Sequence, residues 1–153
     1  MQNLEDQCDF FSIFHDGGFT TLQRKGNDIE FQVDIEYLAE IIDPTYTAFS
    51  VALKNCHYCA FESWDDNKVR DENLDSLNTY ISDMEISKAD CANDLINVVC
   101  LDSRKNSGGF FFFSCGRVVV FDEGGREITL DELKDIASRY WESFAQRNNE
   151  GTS

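Results

Sequence analysis

The chain has 153 residues, 42% of them hydrophobic, with 13 basic against 29 acidic side chains and a formal net charge of −16. This length buries a sizeable core without disulfides or metal, and the apolar share is that of an ordered domain. The charge argues against nucleic acid or an anionic membrane as partner, and no apolar run reaches the ~18 residues a membrane helix needs.

The first residues, Met1 to Asp6, are acidic and lack the apolar stretch of a secretory signal, so a cytoplasmic protein is expected. Leu4, Cys8 and Phe11 recur at helical spacing and predict a short helix over 3–13. His15-Asp16-Gly17-Gly18 reads as a turn, Phe19 to Lys25 as a strand, and Gly26-Asn27 as a tight hairpin, because both residues tolerate positive φ. Ile29, Phe31, Val33, Ile35 and Tyr37 then alternate with Asp28, Glu30, Gln32, Asp34 and Glu36. That period of two predicts a strand over 28–37 with one face in the core and one in water.

Asp43-Pro44 breaks the chain, and Thr47 to Leu53 alternates again with Phe49, Val51 and Leu53 facing in. Lys54-Asn55 turns into a strand from His57 to Trp64. Glu62 to Asp75 reads as an acidic surface loop, with one helical turn near Leu74 and Leu77. Tyr80, Met84 and Ile86 suggest a strand, and Asp90 to Asn93 turns into the apolar run Leu95 to Leu101. Phe110 to Phe113 place two rings on each face of a strand, so both faces need cover. Closure of the sheet, the N-terminal segment or a second copy of the chain can supply it. Val118 to Phe121 forms a further strand, and Gly124-Gly125 ends the sheet.

Thr129-Leu130-Asp131-Glu132 is a capping box. It opens a helix over about 130–147 with Leu130, Leu133, Ile136, Ala137, Tyr140, Trp141 and Phe144 on one face, followed by a fraying tail at 148–153. No repeat or linker interrupts the sequence, so residues 1–153 form a single domain. The expected fold is α+β: a mostly antiparallel β-meander of about eight strands, able to curl on itself, with the long C-terminal amphipathic helix covering one side.

Motifs for nucleotide cradles and nucleophile elbows are missing. Six cysteines, at 8, 56, 59, 91, 100 and 115, read as the small buried hydrophobes of a reducing compartment. Cys56-His57-Tyr58-Cys59 is the one spacing with a chemical signature, since a CxxC on a turn can grip zinc or cycle as a dithiol. Were 57–63 a strand, side chains three apart would point to opposite faces and spoil chelation. No metal or cofactor is therefore expected. His15-Asp16 fits an acid–base pair, but also a turn in which Asp16 bonds backbone amides while His15 packs at the sheet edge. The latter is preferred, and no catalytic residue is assigned. A small enzyme or ligand-binding barrel using His15, Asp16 or the Cys56-His57-Cys59 site is the alternative.

The stronger signal is acidic. Asp28, Glu30, Asp34 and Glu36 fall on the solvent face of the 28–37 strand at intervals of ~6.6–6.8 Å, a negative ridge. Asp65 and Asp66 extend it from the following loop. Such a ridge keeps a protein soluble, or docks and steers a basic partner.

Phe14-His15-Asp16, Gly26-Asn27-Asp28-Ile29 with the alternating strand, Phe49-x-Val51-x-Leu53, and Phe61-x-x-Trp64 together resemble the opening of small uncharacterised bacterial proteins with an N-terminal Phe-His-Asp turn. Some of these are similar to immunity proteins, which neutralise the toxins of competing bacteria. The resemblance spans residues 10–64. It implies a cytoplasmic binding protein without a cofactor and supplies no catalytic residues. The resulting expectation is a non-enzymatic acidic protein, of immunity or inhibitor type, docking on a basic protein through Asp28, Glu30, Asp34, Glu36, Asp65 and Asp66. A homodimer joined by an apolar patch, with the ridge outside it, is the expected assembly.

Overall fold

The computed structural model describes residues 2–64, 70–82, 84–102, 104 and 106–150. In chain order the elements are α1 (Leu4–Ile13), β1 (Gly18–Phe19), β2 (Gln23–Lys25), β3 (Asp28–Asp34), α2 (Glu36–Ile42), β4 (Ala48–Lys54), β5 (Tyr58–Ser63) and β6 (Arg70–Asp71), followed by α3 (Leu74–Ile81), β7 (Glu85–Ala92), β8 (Leu95–Asp102), β9 (Ser107–Ser114), β10 (Arg117–Phe121), β11 (Glu127–Ile128) and α4 (Leu130–Glu150). The strands form one antiparallel sheet in the order β11-β10-β4-β3-β1-β7-β8-β9-β5-β6, with β2 on β3. The fold is α+β with a long C-terminal helix, and the described residues form eleven strands rather than about eight. β1, β2, β6 and β11 are only two or three residues long, too short for alternation to mark them.

A corner bends this sheet. Lys54 pairs with Arg117 and Tyr58 with Ser114, so residues 55–57 oppose only 115 and 116. The extra residue is a bulge, with Asn55 at φ 51°, and it bends β4 into β5 beside the matching turn of β9 into β10. The amide of Gly116 donates to the Lys54 carbonyl at 2.8 Å and that of His57 to the Ser114 carbonyl at 3.1 Å, so the corner stays paired. Hydrogen bonding does not close the ring; β11 and β6 remain its ends.

α1 plugs the curl. The Phe11 ring lies 6.3 Å from Phe31 on one half of the sheet and 5.2 Å from Phe113 on the other. Phe19 bridges the halves in the same way, 5.5 Å from Phe31 and 5.8 Å from Phe111. Asn3 caps the helix by accepting from the Asp6 amide at 2.8 Å. In β9, Phe111 and Phe113 face this interior and are fully buried. On the outer face, Trp64 lies edge-on to Phe110 at 5.9 Å, and the Arg70 guanidinium sits 4.0 Å above Phe112. Rings on both faces of the strand thus gain cover within one chain.

Several predicted elements shift. The strand over 28–37 ends at Asp34, and α2 begins at Glu36. Ile35, Leu38 and Ala39 are buried at i, i+3 and i+4, so the chain switches to helical burial while Ile35 and Tyr37 prolong the alternation by coincidence. The strand over 19–25 splits because Leu22 leaves the ladder: its amide and carbonyl bond to the Asn78 side chain of α3, each at 2.9 Å. Tyr80 belongs to α3, whose Leu77 and Ile81 enter the core. β7 runs on to Ala92, and the reversal falls on Asn93 and Asp94, with φ 55° and 63°. α4 reaches Glu150 and packs on α1 and α2 rather than directly covering the sheet. Its capping box forms, with the Glu132 amide donating to Thr129 Oγ1 at 3.1 Å.

Candidate functional site

The predicted ridge divides into two. Asp28 accepts from the Asn55 amide at 3.0 Å and from Lys54 Nζ at 3.1 Å, and these bonds hold its carboxyl below the usual carboxylate range. Glu30 pairs with Lys25 at 3.5 Å. Asp34 and Glu36 are exposed and form no ion pair with a described residue. Glu36 stands on the first turn of α2, not on the strand. Asp65 and Asp66 lie outside the described residues.

Asp34 and Glu36 meet two further carboxylates that the ridge did not include. Together with Asp16, Glu40, Ile35, Tyr37, Tyr140 and Trp141 they line a cavity of about 440 Å³. Four acids and three aromatic rings share it, and no lysine or arginine is on its lining. Asp16 reaches it from the turn after α1, held at φ 72° by its amide bond to the Ile86 carbonyl at 2.7 Å. Gly17 is needed beside it, since a Cβ there would meet Val33 Cγ1 at 2.6 Å. Glu36, Tyr37 and Glu40 come from α2, and Tyr140 and Trp141 from α4.

Rings fasten these pieces together. The Tyr37 hydroxyl donates to the His15 carbonyl at 2.8 Å, and its ring lies 4.4 Å from Tyr140. Burial, then the Asp16 carboxylate and Tyr140, push the Tyr37 phenol up to about 12, so it stays a neutral donor. His15 stacks on Trp141 at 5.6 Å, 10° from parallel, and its Nδ1 lies 3.0 Å from the Ser12 carbonyl. His15 therefore packs against α4 rather than at the sheet edge, and Asp16 faces the cavity. Trp141 and the neighbouring Phe144 remain 43% and 42% exposed. Carboxylates and aromatic faces both attract a cation, so this is chemistry for a guanidinium or ammonium group.

The other candidate constellation does not converge. His57 is exposed while Cys56 and Cys59 are buried. Both residues are buried in the core, contrary to the strand-parity expectation, because β5 begins only at Tyr58 and Cys56 lies in the corner. Among the described residues no group of three or more His, Cys, Asp or Glu is placed to hold a metal ion. All six cysteines are free thiols, and burial raises those of Cys100 and Cys115. The space inside the curl, where a ligand-binding barrel holds its cavity, is filled by Phe11, Phe19, Phe31, Phe111 and Phe113.

Sequence reasoning missed the meeting of Asp16 and Glu40 with Asp34 and Glu36. The available signal was the i, i+3, i+4 spacing of Ile35, Leu38 and Ala39, which turns the chain into α2 and brings both glutamates to the Asp16 turn. Among the described residues no helix is long and apolar enough to cross a membrane. Comparison with protein-family models, curated proteins and solved structures gives no match to this chain.

Proposed function

We propose that this chain is a non-enzymatic binding protein that docks on a basic partner protein through the cavity between the Asp16 turn, α2 and α4. One observation carries the reading: four carboxylates and three aromatic rings line one cavity that no base shares. An arginine or lysine side chain of the partner enters the cavity, while Trp141 and Phe144 supply the apolar contact beside it. Aromatic rings of this kind dominate binding energy, and a charge of −16 raises the rate of encounter with a basic surface. Glu30 and Asp28, already answered by Lys25 and Lys54, contribute to the general field rather than to the contact.

An immunity or inhibitor protein, cytoplasmic and directed at a basic toxin, is the concrete form of this proposal. The Phe14-His15-Asp16 turn, which carries the resemblance to such proteins, is also the turn that presents Asp16 and stacks His15 on Trp141. Self-association is the competing use of the exposed rings. Two copies meeting through Trp141 and Phe144 would bring the Asp34 and Glu36 carboxylates of both together, whereas a basic partner satisfies rings and acids at once.

Calorimetric titration with a tetra-arginine peptide tests the reading. Saturable binding is expected, weakening as salt rises from ~50 to ~300 mM and falling about tenfold in Glu36→Gln/Glu40→Gln and in Trp141→Ala. Binding of equal strength in both variants, or none at low salt, would contradict it.

A further inference from the structure

A second cavity, of about 470 Å³, opens on the face of the sheet that points away from the core. Its floor follows from the register of neighbouring strands. Phe31 of β3, Val51 of β4 and Val120 of β10 belong to the core, so the residues on either side of each stand on the opposite face. Pairing sets Gln32 opposite Ser50, and Ser50 opposite Phe121, in one cross-strand row. Gln23 of β2, Glu30 and Ala52 form the next row. Neighbours in a row stand ~4.8 Å apart and the two rows ~6.6–6.8 Å apart, so the ladders hold a rigid grid of side chains.

Side-chain size makes the grid concave. Ser50 and Ala52 are short and lie in the middle strand, while Gln32 and Glu30 rise on one side and the half-buried Phe121 ring on the other. The ladder beside β3 is interrupted here, yet its backbone is satisfied. The amide and hydroxyl of Thr20 donate to the Gln32 carbonyl at 3.1 and 3.2 Å, and the Gln32 amide donates back to the hydroxyl at 2.8 Å. The side chains of Gln23, Gln32 and Ser50 are left with no hydrogen bond to a described residue. Among the described lining residues only Lys25 and Glu30 are charged, and they pair at 3.5 Å. In a chain of net charge −16 this cleft is therefore neutral.

We propose that the cleft binds a neutral saccharide, its hydroxyls bonded by Gln23, Gln32 and Ser50 and one face of a sugar ring resting on Phe121. Primary amides and a hydroxyl both donate and accept, as sugar hydroxyls do, and the paired Lys25 and Glu30 leave no net charge to select an ion. A nucleobase presents its donors and acceptors along one planar edge, whereas here they stand in two parallel rows. The Phe121 ring supplies an apolar surface for the C–H bonds of the sugar. The volume falls within the range of small-molecule sites and suits a ligand of disaccharide size. No lining residue is shared with the docking cavity, so the two sites stand or fall separately.

Titration of the isotope-labelled whole protein with maltose, cellobiose, lactose and chitobiose, followed by heteronuclear NMR, tests this directly. At least one disaccharide should give saturable shifts centred on the backbone amides of Gln32 and Ser50 and the side-chain amides of Gln23 and Gln32. Raising salt from ~50 to ~300 mM should leave the affinity unchanged, because no ion pair is formed. Gln32→Ala and Ser50→Ala, each folded by circular dichroism, should weaken binding about three- to tenfold, the effect of one lost neutral hydrogen bond. Trp141→Ala, which alters the docking cavity, should not change it. No saturable shift with any of these sugars up to ~20 mM would overturn the proposal. So would shifts centred elsewhere, equal affinity in both variants, or binding that salt weakens.

Discussion

Replacing Phe11 with alanine removes the ring that separates the two halves of the curled sheet. Phe11 is fully buried, and its ring contacts Phe14, Phe31 and Phe113 at centroid distances of 6.5, 6.3 and 5.2 Å. Returning that side chain to water forfeits about 2–3 kcal/mol of transfer free energy. Phe31 and Phe113 belong to two strands held by the ladders, β3 and β9, so the surroundings collapse only in part. A residual void of roughly 60–100 Å³ at ~24 cal/mol per Å³ adds about 1.5–2.5 kcal/mol. A loss of about 3.5–5.5 kcal/mol is expected, out of a total stability of ~5–15 kcal/mol for a domain. Urea unfolding followed by circular dichroism reads it as a fall in midpoint at constant slope. Phe144→Ala on the exposed face of α4 is the control and should cost less than about 1 kcal/mol. A Phe11→Ala cost below about 1 kcal/mol at unchanged slope would refute the placement of α1 between the sheet halves.

Gly109→Ala should destabilise by about 1–3 kcal/mol in the same assay, because a Cβ there would lie 2.5 Å from Phe61 Cζ and 2.6 Å from the Glu62 carbonyl oxygen. Acid should weaken the fold. Hydrogen bonds from Asn55 and Lys54 lower Asp28, that from the Thr47 amide foremost lowers Glu123, and Arg126 foremost lowers Glu132, from ordinary values of 3.8, 4.5 and 4.5. Groups depressed in the folded state add stability above those values and lose it as the pH falls through their folded ones, so the melting temperature should hold down to about pH 5 and drop below pH 4. Asp28→Asn should flatten part of that drop. Light scattering at micromolar concentration and moderate salt should give the mass of one 17.5 kDa chain, since the acids beside Trp141 and Phe144 oppose self-association.

Elements whose side chains answer only to their own neighbours were legible in the sequence. The helix beginning near Leu4, the strand from Asp28, the Gly26-Asn27 hairpin and the Thr129 capping box each carry their signal within a few residues. The remainder depends on distant partners. Leu22 leaves the sheet because Asn78, far along the chain, satisfies its backbone, and no local pattern announces that. β1 exists because Gly18 and Phe19 lie between β3 and β7, whose pairing is a property of the whole curl. Parity placed Cys56 and Cys59 on opposite faces, but a bulge of one residue cancels parity, and its register can be read only against β9 and β10. For the site, alternation found Asp34 and Glu36 as exposed acids but carried Glu36 onto the strand, where it could not meet Asp16 or Glu40.

Affinity capture from the native organism with purified chain as bait, comparing the unsubstituted protein with Asp34→Asn/Glu36→Gln/Trp141→Ala, tests the docking proposal most directly. The proposal predicts that the unsubstituted bait retains a basic protein, that raised salt releases it, and that the triple variant, folded by circular dichroism, does not retain it. Equal retention by both baits, or a partner that carries no basic surface, would contradict it.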